Sequence, residues 1–272
     1  MRSAKVVPLS LQDILTQIQE KNYATLPMAI PHFHIETAMA DFFAFLALPE
    51  EVKRRFRHKL DIKNHGSEAG WARKSTGHGD KDEKEFFHFT PYTREVFRDL
   101  PERNDPEVQR FFNSAEQIHR QMTEIVSALL DTFETKYPGI KRKFIPGDRR
   151  PFFYLRFLRY VSVPNGEFLA KGHYDRGTMT LAIAESAPGL RIGLNAKSLQ
   201  PVDRSEGDIV FMPALRLRDI TSAEDFPPAW HDVVQSSDRQ LSDETARWAL
   251  VFFADTVDQN HTPWAEAHTP MG

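Results

Sequence analysis

Hydrophobic positions divide the chain into two textures. In the first half they recur every three to four residues. Lys5–Leu9 reads as a short strand, and Leu11, Ile14, Leu15 and Ile18 then fall at helical spacing behind Ser10, which stands where an N-cap is expected. Asn22–Leu26 reads as a returning strand, punctuated by Pro27 and Pro31. A second helix is expected from Ile35 through Phe45, with LPEEVKRRF as a further helical segment. The basic run Lys53–Lys63 reads as a solvated helix face. Asn64–Asp82, rich in Gly, Ser, Lys and Asp, reads as a long loop, and Glu83–Thr90 as a strand. The strongest helix is Pro106–Tyr137, where Val108, Phe111, Phe112, Ile118, Met122, Ile125, Leu129 and Phe133 form one apolar face.

From Arg150 the period changes. PFFYLRFLRYVSV, EFLAKGHYD, TMTLAIA, LRIGL, GDIVFMP and ARWALVFFAD are short β-rich runs separated by Gly, Pro and Asn turns, the pattern of a sandwich or barrel. Helices first and strands afterwards predict an α+β architecture. A length of 272 residues suits one such unit, because barrels with added helices commonly reach it.

Composition narrows the function. With 40% hydrophobic residues and 27% charged, the chain can bury a core, which excludes a disordered protein. A formal charge of -3 supplies no basic field, so nucleic acid is not an expected partner. The longest apolar runs, Phe42–Leu48 and Trp248–Ala254, fall far short of the roughly 20 residues of a membrane helix. No signal core opens the chain, so a cytoplasmic protein is expected. The absence of cysteine excludes disulfides, thiolate zinc, iron–sulfur clusters and cysteine nucleophiles, leaving nitrogen and oxygen ligands for any metal.

The candidate chemistry lies in KGHYDRGTMTL. His173 and Asp175 are two apart, a spacing that puts both side chains on one face of a strand, within reach of one metal ion. A third nitrogen ligand would complete a two-histidine, one-carboxylate triad of the kind that holds non-haem iron(II). His231 follows in PAWHDVV, at the start of a strand. In ARWALVFFAD, alternation puts Arg247, Ala249, Val251 and Phe253 on one face, with Trp248, Leu250 and Phe252 on the other. Arg247 among small apolar residues is expected to point inward, toward either a ligand carboxylate or an internal Asp or Glu. Arg159 has two readings of its own: a substrate anion's partner inside the barrel, or a structural or surface residue. Arg156 and Arg191 are weaker candidates of the same kind.

These parts, in this order, resemble the isopenicillin N synthase-like family of iron(II)/2-oxoglutarate-dependent oxygenases. VVPLSL resembles its opening strand, FFAFLALPEEVKRRF its phenylalanine pair and basic helix, and KDEKEFFHF its Lys-x-x-Glu-aromatic strand. LRFLRYVSVPNGE, GHYDRGTMTLAIAESAPGLRI and GDIVFMPALRLRDIT resemble the strands around its metal motif. The resemblance implies a double-stranded β-helix (jelly-roll) core with N-terminal and flanking helices. Residues 1–272 would form one domain: 1–149 mainly helical, 150–256 the jelly roll with the metal site, and 257–272 a tail. It implies His173, Asp175 and His231 as ligands of Fe(II), and Arg247 and Tyr160 as the binding residues for 2-oxoglutarate. O2 would be consumed, a small and possibly anionic molecule hydroxylated, and succinate and CO2 released. Two departures stand out. Ala249 replaces the hydroxyl residue that the family usually carries two positions after the arginine, and Val161 replaces a second tyrosine. The alternatives are a same-fold iron oxidase that cyclises or desaturates without 2-oxoglutarate, and a non-catalytic jelly-roll binding protein.

Overall fold

The computed structural model describes residues 9–27, 30–61, 67–74, 83–148, 150–235 and 245–257. The N-terminal half is a helical cover. Helix α1 (Leu11–Lys21) starts at Ser10, whose hydroxyl accepts from the Asp13 amide while the Asp13 carboxylate accepts from the Ser10 amide, a reciprocal capping box. The short strand β1 (Ala24–Leu26) follows, then α2 (His32–Leu46) and α3 (Glu50–Arg55). Strands β2 (Lys59–Asp61), β3 (Ser67–Lys74) and β4 (Lys84–Phe89) lead through a short helix α4 (Thr93–Val96) to the long helix α5 (Pro106–Phe133), then α6 (Ile140–Phe144). Asp105 caps α5 by accepting from the Glu107 amide, and Pro106 occupies its first turn, where a missing N–H costs nothing.

The second half supplies β5 (Phe152–Val161), β6 (Phe168–His173), β7 (Met179–Glu185), β8 (Leu190–Gly193), β9 (Gln200–Pro201), β10 (Ile209–Pro213), β11 (Trp230–Val234) and β12 (Thr245–Asp255). They form two antiparallel sheets. The larger runs β1-β10-β7-β12-β5-β4-β3-β2 and the smaller β6-β11-β8-β9. Every pairing within them is antiparallel, as expected of a jelly roll; the barrel is not closed.

The central strands of the larger sheet, β10, β7, β12 and β5, are largely buried on both faces. One carries the helices, and their joint core is dense in phenylalanine: Phe111 lies 5.6 Å from Phe42, 5.4 Å from Phe45, 5.0 Å from Phe87 and 5.0 Å from Phe157, between ring centroids. Each such ring contributes roughly 1.5–3 kcal/mol by leaving water. The other face turns toward the smaller sheet over a second cluster that includes Leu158, Tyr160, Ala182 and Ala249.

Two expectations need correction. Ser67–Lys74, read as part of a loop, is strand β3, paired with β4 on one side and β2 on the other, with Trp71 buried. Lys53, read as part of a solvated face, is buried; its Nζ donates to the Leu46 carbonyl at 3.0 Å and lies 3.6 Å from Glu85. Of the expected strand at Lys5–Leu9 only Leu9 is described, outside any strand; residues 5–8, the rest of the Asn64–Asp82 loop and the tail beyond Val257 lie outside the described residues. Among the described residues, no helix is long and apolar enough to cross a membrane.

Candidate metal centre and its pocket

β6 and β11 pair antiparallel, and their register sets His231 directly opposite His173, with ring centroids 4.4 Å apart. β6 ends at His173. Asp175 therefore stands in the turn beyond the strand, and not on the strand face that the two-residue spacing implied. The turn is pinned on both sides. The Asp175 carbonyl accepts from the Leu215 amide at 3.0 Å, and the Thr178 amide donates to the Asp255 carboxylate at 2.5 Å. Gly177 makes that approach possible, since a Cβ there would collide with the Asp255 carboxylate. Burial pushes Asp255 up to about 6.

The turn returns Asp175 to the histidines. His173 Nε2 is 3.7 Å from Asp175 Oδ1, and His231 Nε2 is 3.7 Å from Asp175 Oδ2. One donor atom from each of the three lies within 4.8 Å of the others. The far side of each ring is spoken for. His173 Nδ1 meets the Lys171 carbonyl at 2.7 Å and His231 Nδ1 the Ala229 carbonyl at 3.2 Å, contacts in which Nδ1 must donate. Both Nε2 lone pairs are thereby turned inward, as metal-ligating imidazoles require. Desolvation, then the neighbouring His231, lowers His173 to about 4, so its imidazole is neutral at pH 7. Burial raises the Asp175 carboxyl, but the two imidazoles and the Thr180 hydroxyl, which donates to Oδ2 at 2.6 Å, outweigh it and leave the group below its ordinary value. Two imidazole nitrogens and a carboxylate, held from behind, could hold one divalent cation with coordination positions left over.

The three residues line a cavity of about 640 Å³, open mouth included, between the two sheets. Arg247, Ala249, Val251 and Phe253 of β12 all line it, as strand alternation predicts, while Leu250 and Phe252 enter the helix-side core and Trp248 packs against it. Arg247 is 2% exposed, and its Cζ lies 5.6 Å from the ring centre of Tyr160, its cross-strand partner. Gly189, at φ 151°, lets the β7–β8 hairpin pass beside the guanidinium, where a Cβ would meet the Val234 carbonyl and lie 3.3 Å from Arg247 Nη1. Arg247 Nη2 donates to Glu185, whose other oxygen is 3.4 Å from Arg204; Arg247 Nε and Nη1 are buried with no hydrogen-bond partner. Two buried N–H donors without acceptors fit an added carboxylate.

Glu185 was not anticipated from the sequence. Along Met179–Glu185, plain alternation groups it with Leu181 and Ile183 on the helix side. A register shift between β7 and β12 breaks the alternation: Val251 pairs with Ala182, yet Leu250 pairs with Ala184 and Ala249 with Glu185. The extra residue turns Glu185 into the cavity. Ala249, where the family pattern expects a hydroxyl, is thus the small residue facing that carboxylate across the strands. Arg159 is corrected in the opposite sense. It lies on the other face of β5 from Tyr160, with Nη1 donating to Glu85 at 2.9 Å and Nε to Thr245 at 3.0 Å, so it does not line the cavity. Arg191 is also elsewhere, in a two-bonded pair with Asp232 at 2.8 and 2.6 Å. Arg156 does line the cavity.

No protein-family profile matches this chain, and no curated protein does. Solved structures match over most of its length. A Neurospora crassa protein solved with alpha-ketoglutarate and 5-formyluracil superposes with a TM-score of 0.70 at 18% identity, over 90% of this chain and 78% of that one. A proposed 2OG-Fe(II) oxygenase family protein from Caulobacter crescentus gives 0.68 at 21%, over 90% and 81%. The chain has the 2OG-Fe(II) oxygenase fold. Dioxygenase for auxin oxidation 1 from Arabidopsis thaliana, solved with 2-oxoglutarate, shares this oxygenase fold over 97% of this chain and 96% of its own, with a TM-score of 0.67 at 14% identity.

Proposed function

We propose that this protein is a non-haem iron(II)- and 2-oxoglutarate-dependent dioxygenase that hydroxylates a small molecule, consuming O2 and releasing succinate and CO2. One observation carries the reading. The inward Nε2 atoms of His173 and His231 and the Asp175 carboxylate share a single cavity with a buried guanidinium that has two unused donors. Solved neighbours of the same fold hold 2-oxoglutarate.

In this reading His173, Asp175 and His231 hold the iron, and Arg247 takes the distal carboxylate of 2-oxoglutarate, with Tyr160 beside it. Bound together, the metal and the keto acid supply the oxidising chemistry. The chain's own contribution is position. The backbone carbonyls of Lys171 and Ala229 keep both imidazoles in the ligating tautomer, and Thr180 orients Asp175. The apolar walls, Leu158, Val251 and Phe253 among them, limit water around the reacting carbon.

A second reading is a same-fold iron oxidase without 2-oxoglutarate. It draws on Glu185, which already meets Arg247, and on the missing hydroxyl at Ala249. An anaerobic visible spectrum with iron(II), before and after 2-oxoglutarate, separates the two. The dioxygenase reading expects a weak metal-to-ligand charge-transfer band on addition. Tight iron binding without a band would favour the oxidase, and failure to bind iron would defeat both.

A further inference from the structure

Interior arginines in this protein are matched with carboxylates. Arg159 has Glu85, Arg191 has Asp232, and Arg204 and Arg247 share Glu185. Arg156 breaks the pattern. It lines the cavity, and its one hydrogen bond is from Nε to His88 Nε2 at 2.7 Å; it has no carboxylate partner among the described residues. A guanidinium half-buried in an apolar wall with no carboxylate in contact has room for one more anion.

It is nevertheless held firmly. Its Cζ lies 4.6 Å from the centre of the Phe253 ring, 5.5 Å from Phe86 and 5.9 Å from Tyr154. Aromatic faces and the His88 bond fix the plane of the fork, while Nη1 and Nη2 make no hydrogen bond among the described residues. An arginine fixed in this way loses little entropy when it takes up a planar anion. The group shares its cavity with His173, Asp175 and His231.

Arg156 and Arg247 address different anions. Arg156 faces Val251 across β5 and β12, whereas Arg247 faces Tyr160. Those rows are four residues apart, about 13 Å along the strands. Lys84, the other cation on this wall, is already engaged. One available guanidinium among apolar side chains suits a monoanion better than a doubly charged phosphate.

We propose that Arg156 is the anchor for a carboxylate on the primary substrate, a small molecule whose apolar body rests against Val251 and Phe253. That this molecule is the one oxidised rests on the dioxygenase reading; that the cavity selects a carboxylate does not.

The test compares matched acids and amides: 3-phenylpropanoate with 3-phenylpropanamide, and hexanoate with hexanamide. Binding is measured by anaerobic equilibrium dialysis on the full chain with iron(II) and saturating 2-oxoglutarate, which keeps the acids from Arg247. At least one acid is expected to bind about tenfold or more tightly than its amide. Arg156→Gln should equalise the pair, and Arg156→Lys should restore part of the preference. Equal affinities in the unmodified protein, no binding of any probe, or a preference that survives Arg156→Gln would each overturn the proposal. The comparison in the unmodified protein decides even if both variants fail to fold. A missing charge-transfer band would count against the cosubstrate reading alone.

Discussion

On β12 neighbouring residues enter two different environments. Leu250 and Phe252 join a core sealed by helices, while Ala249, Val251 and Phe253 border a cavity that also holds the three groups able to bind a metal and several guanidinium and carboxylate groups. The helix side is mostly apolar, and some of its buried polar groups are satisfied locally. His119, for example, is lowered to about 4 by desolvation and bonds the Phe153 carbonyl at 3.1 Å through Nε2. The cavity side keeps unused hydrogen-bonding capacity, in Arg247 and in Arg156. The same backbone thus carries stability on one face and binding on the other, and the division is made residue by residue through strand alternation.

Adjacent residues of β5 give the sharpest way to break that comparison. Phe157, fully buried against Phe42 and Phe111, should cost about 3–5 kcal/mol when changed to alanine, without altering affinity for iron. Leu158 borders an existing cavity, so its alanine variant should fall near 2 kcal/mol, at the low end for leucine. Urea unfolding of the two variants measures the difference, and equal losses would erase the distinction. Glu185→Gln removes the anion facing Arg247 and should destabilise the protein by about 3 kcal/mol, as breaking a buried ion pair does. Because 2-oxoglutarate would supply the missing charge, it should raise the melting temperature of this variant more than that of the unmodified protein. A smaller rise would mean that Glu185 assists the cosubstrate. Thr180→Val removes only the hydrogen bond behind Asp175. It should weaken iron(II) binding by about 10–100-fold, read by metal titration, with stability changed far less.

Much of this was legible in the sequence, for physical reasons. The apolar face of α5, the Ser10 cap and the alternation of β12 are local signals, and each survives folding because tertiary packing uses the same face that the pattern offers. The cross-strand meeting of His173 and His231 needed the family resemblance, since 58 residues separate them. β3 was missed because Ser, Gly, Arg and Lys hide its alternation, and its pairing comes from distant neighbours. Glu185 was missed because one bulged residue inverts the facing of the end of β7. On β5 the local signal favours Arg156: it shares parity with Tyr160, and Arg159 does not.

Under the dioxygenase reading, Glu185 also sets a resident anion beside any carboxylate that Arg247 takes up. An incoming carboxylate meets a guanidinium that already has an anion on one side and Arg204 drawing on that same anion. A simple monocarboxylate such as acetate can reach the two unused donors, but it must approach the negative charge of Glu185 with nothing else to hold it. A molecule gripped at its far end by another part of the cavity presents its carboxylate at high effective concentration and can prevail. The pair thereby discriminates by molecular length: it favours anions long enough to be held at both ends and discounts the abundant short ones.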